Sequence, residues 1–175
     1  MSIHQPDLMA DLVPAKSVAG FSIGEDLRSI QKKIGVVEWH EKDFHLEDKL
    51  LLNDGWIGVT SKCGIPGGAF TVIRSLIYKN DIISLEFEES LKLYRVDVGD
   101  GYMGSFCGVK VGDSITDLNN AGFHLTFNDM DDDFLIEKGG EVVEGISFLT
   151  NYRAALESAA VQTIRYISVH DWSMR

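Results

Sequence analysis

Proline, cysteine, positive charge and long apolar runs are all scarce in this chain. Its 175 residues include three prolines and two cysteines. So few prolines leave no Pro-rich linker, and two halves, if they exist, must share an interface. Cys63 and Cys107 are too few for a disulfide framework, and the expectation is reduced, buried thiols. The longest apolar runs span only a few residues, too short for a membrane helix. Residues 1–20 lack the basic start and apolar stretch of a signal peptide, so the cytoplasm is the expected compartment. Sixteen Lys and Arg stand against 27 Asp and Glu, a net charge of −11. That balance argues against nucleic-acid binding, which rests on neutralising phosphates with cations. It argues equally against docking on anionic membranes.

A hydrophobic fraction of 45% and a charged fraction of 25% are those of an ordinary folded domain. The acids divide almost evenly, with a net of −5 over residues 1–90 and −6 over residues 91–175. The charge therefore belongs to a folded surface rather than to an acidic tail.

Residues 20–30 (GFSIGEDLRSI) line up with residues 108–118 (GVKVGDSITDL). Each piece reads as a short extended segment ending at Gly24 or Gly112, then an acid, Glu25 or Asp113, near the positive end of a helix. Leu27, Ile30 and Ile34 form one apolar helical stripe, and Ile115, Leu118 and Ala121 the other. Gly35 and Gly122 fall where helix C-caps are expected. A duplication, with halves at about 18–98 and 106–172, and a coincidence between two common strand-turn-helix sequences are both open. Beyond each helix the period changes to two. Residues 44–52 read as extended chain with a turn, 55–60 as a strand, 70–88 as a hairpin turning at Asn80-Asp81, and 91–98 as a further strand. Residues 123–127, 134–137, 142–149 and 161–170 read as strands. Residues 151–160 fit a helix, from their paired alanines, or a loop. Residues 99–106 are the expected joint. The fold class is α+β, antiparallel meanders with packed helices in one compact domain, with a tandem pair of helix-plus-sheet units as one reading.

Chemistry-bearing motifs are few. His40 and His45 are spaced for neither one helix face nor one strand face. Residues 129–133, with Asp129, Asp131, Asp132 and Asp133, suggest a calcium loop, yet Phe134 stands where the sharp turn needs glycine and Gly140 where a bidentate Glu is required. Cys63 and Cys107 lack a nucleophile signature, and pairing with His124 or His170 is not readable from spacing. No phosphate loop and no nucleophile elbow occur. What remains is surface: Glu86, Glu88 and Glu89 at one strand end, the acids of 129–133, further acids from Glu38 to Asp48, and 17 aromatics that include Trp39, Trp56 and Trp172. Acids steer a basic partner and aromatics anchor it.

With these features the chain resembles bacterial immunity proteins of polymorphic toxin systems, of the contact-dependent inhibition or type VI secretion type. The resemblance rests on size, acidity, the absence of catalytic motifs and the paired pieces 20–30 and 108–118. It implies a cytoplasmic protein, not an enzyme, with no cofactor and no metal. Its partner would be a cognate toxin domain, a basic nuclease, met by Glu86, Glu88, Glu89, Asp129, Asp131, Asp132, Asp133 and Trp39. The helix-then-sheet tandem is also similar to the repeat of the beta-lactamase-inhibitor-protein type, a likeness that bears on fold only. A small enzyme using Cys63, Cys107 or a carboxylate pair, and a calcium module built on residues 128–133, are the alternatives.

Overall fold

The structure is a computed structural model that describes residues 5–42, 46–64 and 68–175, with 46–48 described by backbone only. Asp43, His45, His4 and the side chains of Glu47 and Asp48 lie outside that description. A small hairpin, β1 (Ser17–Val18) and β2 (Phe21–Ser22), leads into α1 (Leu27–Ile34). Then come β3 (Trp39–Glu41), α2 (Leu46–Leu52) and four strands, β4 (Trp56–Gly64), β5 (Phe70–Tyr78), β6 (Ile83–Phe87) and β7 (Leu93–Val98). The second half holds α3 (Asp117–Asn120), β8 (His124–Asn128), β9 (Asp133–Lys138), β10 (Glu141–Val142), β11 (Ile146–Thr150) and β12 (Ile164–His170). A 3₁₀ turn, Trp172–Met174, follows. Strands far outweigh helices, and the class is mixed, mostly sheet.

One sheet of ten strands crosses both halves in the order β10-β9-β11-β12-β7-β6-β5-β4-β3, with β8 pairing β9. Its neighbours are antiparallel except β3 on β4, which is parallel. Counted inward from each side, β4-β5-β6-β7 and β8-β9-β11-β12 meet at the central β7–β12 pair. Residues 99–106 cross between the halves, with Tyr102 buried and its hydroxyl donating to the Ala10 carbonyl at 2.7 Å.

Period-2 alternation sends one set of side chains into the core: Leu76, Leu85, Val96, Val169 and Ile146 lie side by side in register across five strands and are all buried. Helix α1 lays Leu27, Ile30 and Ile34 on that face, and ends at Gly35, whose N–H still reaches the Gln31 carbonyl while its φ of 88° turns the chain out of the helix. The single turn α3 adds Leu118, and Ile115 just ahead of it is also in the core. Ala121 is only half-buried.

One expectation changes, and one open choice is decided for the loop. Residues 46–52, read as extended, form α2, whose Leu50 packs on Ile57, Val59 and Ile77 on the sheet face opposite the main core. Residues 151–160 contain no helix. The amide of buried Gln162 instead donates to the carbonyls of Ala154 (2.7 Å) and Ala159 (2.8 Å), so a side chain satisfies groups that a helix would have paired internally. No helix among the described residues is long and apolar enough to cross a membrane.

Candidate functional site

The second face of the sheet is polar and only partly covered. Two rows of side chains run across it in register. One row is Val59, Ser75, Glu86, Arg95 and His170; the other is Ile77, Ser84, Asp97, Ser168 and Ser147. Serines are too small to fill the face, and a cavity of about 580 Å³ lies over it. Asp131 of the β8–β9 turn and Asp133 at the start of β9 contribute to its lining, and Lys42 and Arg153 also border it. Among the described residues its lining carboxylates are Asp81, Glu86, Asp97, Asp131 and Asp133. Its cations are Lys42, Arg95 and Arg153, so the trough is acidic on balance.

The central charges form a network. Arg95 Nε donates to Asp97 Oδ1 at 2.8 Å and its Nη2 to Ser168 Oγ at 3.2 Å, while the Ser168 hydroxyl also donates to Asp97 Oδ1. Burial works against the Arg95 charge, but Asp97 and Glu86 outweigh it and hold the guanidinium firmly protonated. The Tyr94 hydroxyl donates to Glu86 Oε2 at 2.9 Å, and Tyr166 to Asp81 Oδ2 at 2.9 Å. Burial pushes the carboxyls of both Glu86 and Asp81 above the usual range, with Asp97 adding to it. Burial, reinforced by Asp81, likewise raises the Tyr166 hydroxyl to about 12. At one wall Trp172 stacks on His170 with ring centroids 4.6 Å apart. Burial and the neighbouring Arg95 push the His170 imidazole down.

The residues singled out from sequence divide. Glu86 is brought together in the trough with Asp131 and Asp133, although it lies 45 residues or more from them in the chain. Asp132 stands beside them in an exposed ion pair with Arg153 (3.5 Å), and Asp129 is exposed in the same turn. Asn128 organises that turn: its amide donates to Asp131 (3.1 Å) and Asp133 (3.0 Å), and its carbonyl accepts from Met130 N (3.2 Å). Among the described residues no group of three or more His, Cys, Asp or Glu is placed to hold a metal ion.

Glu88 is buried, with Oε1 accepting from Arg175 at 2.6 Å, and Glu89 lies exposed beyond the strand end. Trp39 packs on the main-core side of edge strand β3, over Gly58, where any Cβ would collide with its indole. It does not line the trough. Cys63 and Cys107 are both free and exposed, against the expectation of buried thiols.

Arg95, Asp97, Asp81, Tyr94 and Tyr166 were not singled out from sequence. Their signal was available: polar residues at alternate positions of otherwise apolar strands, as in Ser84 and Glu86, Arg95 and Asp97, Tyr166 and Ser168. No family model matches the chain, and neither a curated protein nor a solved structure matches it.

Proposed function

We propose that the chain is an immunity protein that neutralises a cognate toxin domain, a basic nuclease, by seating part of it in the trough. The observation that carries this reading is the partly covered polar sheet face, which gathers carboxylates from β6, β7, β9 and the β8–β9 turn around one cavity. A concave face with an acidic floor and aromatic Trp172 at its wall suits a basic protein, steered by charge and then anchored. In this reading the protein works in the cytoplasm, carries no cofactor and catalyses nothing. Its architecture is a tandem of helix-plus-sheet units joined at β7–β12, the face at the junction forming the binding surface. Asp131 and Asp133 meet lysines and arginines of the toxin, while Glu88 and Trp39 have structural roles.

The test is co-expression with the C-terminal domain of a secreted protein encoded beside its gene. Cells carrying both should grow, and cells carrying the toxin domain without the chain should not. The Asp131→Lys, Asp133→Lys double variant should slow association at least tenfold, with the difference shrinking in high salt. Absence of protection removes the immunity reading, and unchanged association removes the trough as its interface.

One observation favours a small enzyme as the second reading. Glu86, with its carboxyl pushed up, and Asp97 share one cavity, and carboxylates in unlike surroundings can divide acid and base roles. In that case Glu86→Gln abolishes a turnover without changing any complex.

A further inference from the structure

The trough changes character across its width. At the β4–β5 side it is aliphatic, with Val59 and Ile77 buried and Ile73 beside them. Toward β6 and β7 it becomes charged, so each cross-strand row runs from an aliphatic residue to a carboxylate. Within the charged part the hydrogen bonds are unevenly shared. Arg95 is engaged by Asp97 and Ser168. Glu86 accepts from Tyr94 at Oε2, and among the described residues nothing donates to its Oε1. Asp97 uses Oδ1 for both of its donors, and its Oδ2 receives none among the described residues. Glu86 and Asp97 are diagonal neighbours on adjacent strands, within reach of one long side chain.

An aliphatic wall beside two carboxylates with unused acceptor oxygens is complementary to a side chain with a methylene stem and a planar cation with several donors. The geometry points to an arginine side chain of the partner as the occupant of this trough, its guanidinium donating to Glu86 Oε1 and Asp97 Oδ2 and its stem lying along half-buried Ile73, the part of the aliphatic wall that Leu50 does not cover. Arginine suits the site better than lysine because its five donors lie in a fixed plane and can bridge acceptors on two strands. Its stem gains from apolar contact while the head stays charged. An incoming cation also relieves Glu86, whose carboxyl burial now disfavours as an anion. This assignment rests on the trough being the partner-binding face, and it names what that face receives.

The probe is the capped tripeptide acetyl-Gly-Arg-Gly-amide, titrated into the full chain at millimolar concentration and followed by NMR. The lysine and citrulline tripeptides serve as comparators. The arginine peptide should bind at least tenfold more tightly than the citrulline peptide and several-fold more tightly than the lysine peptide. Its affinity should rise with pH through the acid range, where Glu86 loses its proton. Glu86→Gln, which keeps an acceptor for Tyr94, should weaken binding at least fivefold, and Glu157→Gln, in the exposed 151–160 loop, should leave it unchanged. Thermal melts establish that each variant is folded. No binding, equal binding of the three peptides, or an unchanged affinity in Glu86→Gln overturns the assignment. If the chain still protects against the toxin domain while the arginine peptide fails to bind, the arginine site falls and the immunity reading stands. If protection fails while the peptide binds as expected, the reverse holds.

Discussion

Leu85 and Glu86 are neighbours in β6, yet their surroundings share almost nothing. Leu85 is fully buried in a row of aliphatic residues that continues through Leu76 and Val96. Glu86 points to the other face, into a trough floored by serines and charges. The same contrast separates Phe148 from Ser147 in β11 and Val96 from Asp97 in β7. One face is closed by α1, α3 and the loops, and its energy is that of apolar burial. The other is only partly covered, by α2 at one side, and holds charges that burial makes uncomfortable. A sheet that serves stability alone would hide both faces or leave the second face to simple solvated charges. Here the second face carries half-buried carboxylates, which cost stability and so call for a functional explanation.

Adjacent substitutions in β11 should show the largest difference. Phe148 is fully buried and packs against Phe106, ring centroids 6.1 Å apart. Phe148→Ala should cost about 3–5 kcal/mol, and Ser147→Ala, which removes only a hydroxyl from a buried floor position, no more than about 1 kcal/mol. Denaturant unfolding measures both. Similar costs for the two would mean that the trough face is packed as tightly as the core.

Arg95 tests how far the trough holds itself together. Arg95→Met keeps the stem and leaves Asp97 and Glu86 without their cation. Breaking a buried ion pair costs ~3–5 kcal/mol, but the Arg95 side chain is 32% exposed, so water screens the loss and roughly 2 kcal/mol is expected. The deficit should shrink in acid, where the carboxylates take protons and no longer need the cation. A deficit independent of pH would assign the role of Arg95 to packing, including its contact with Trp172.

The residues that fold first into a reading of the sequence are those governed by period. Leu27, Ile30 and Ile34 declare α1, Gly35 ends it, and the alternation in residues 70–88 and 91–98 yields β5, β6 and β7. Where one signal serves two structures, the sequence is mute. The Leu50-Leu51-Leu52 run fits a strand or a helix, and α2 is decided by the aliphatic patch of Ile57, Val59 and Ile77 that Leu50 covers. The alanines of 151–160 favour a helix locally, but one buried amide, Gln162, takes their carbonyls from a distance. The candidate site was half legible for the same reason. Charge clusters marked Glu86 and residues 129–133, but only strand pairing shows that these meet, and that Glu88, two residues from Glu86, turns instead to Arg175.

Glu86→Gln separates the two faces more finely. A carboxyl whose value is raised in the folded state contributes stability that is fully present below the ordinary carboxylate range. That contribution is lost as pH rises through the folded value. At neutral pH the wild-type chain therefore carries an ionised Glu86 that burial opposes, and glutamine removes the charge while still accepting from Tyr94. The variant should melt above wild type at pH 7, with the gap closing below about pH 4. It should also bind a basic partner more weakly. Stability gained with binding lost is the pattern of a group kept for function. A lower melting temperature at pH 7 would show instead that attraction to Arg95 outweighs burial, and that Glu86 belongs to the scaffold.

The smallest expected effect on stability lies at the rim. Asp132 and Arg153 form an ion pair at 3.5 Å with both side chains more than half exposed. Such pairs contribute little, because water screens the attraction and two long side chains lose freedom to make it. Asp132→Asn should leave the unfolding free energy within about 0.5 kcal/mol of wild type. Its effect should appear in kinetics: association with a basic partner slows a few-fold at low salt and the difference vanishes at high salt, since a rim charge acts on approach rather than on the docked complex. Glu86→Gln should do the opposite, leaving the association rate nearly unchanged and speeding dissociation. If both variants alter the same rate constant, rim and floor are one electrostatic surface. If they divide as expected, the trough has an outer part that steers and an inner part that holds, on a face whose reverse side does nothing but fold.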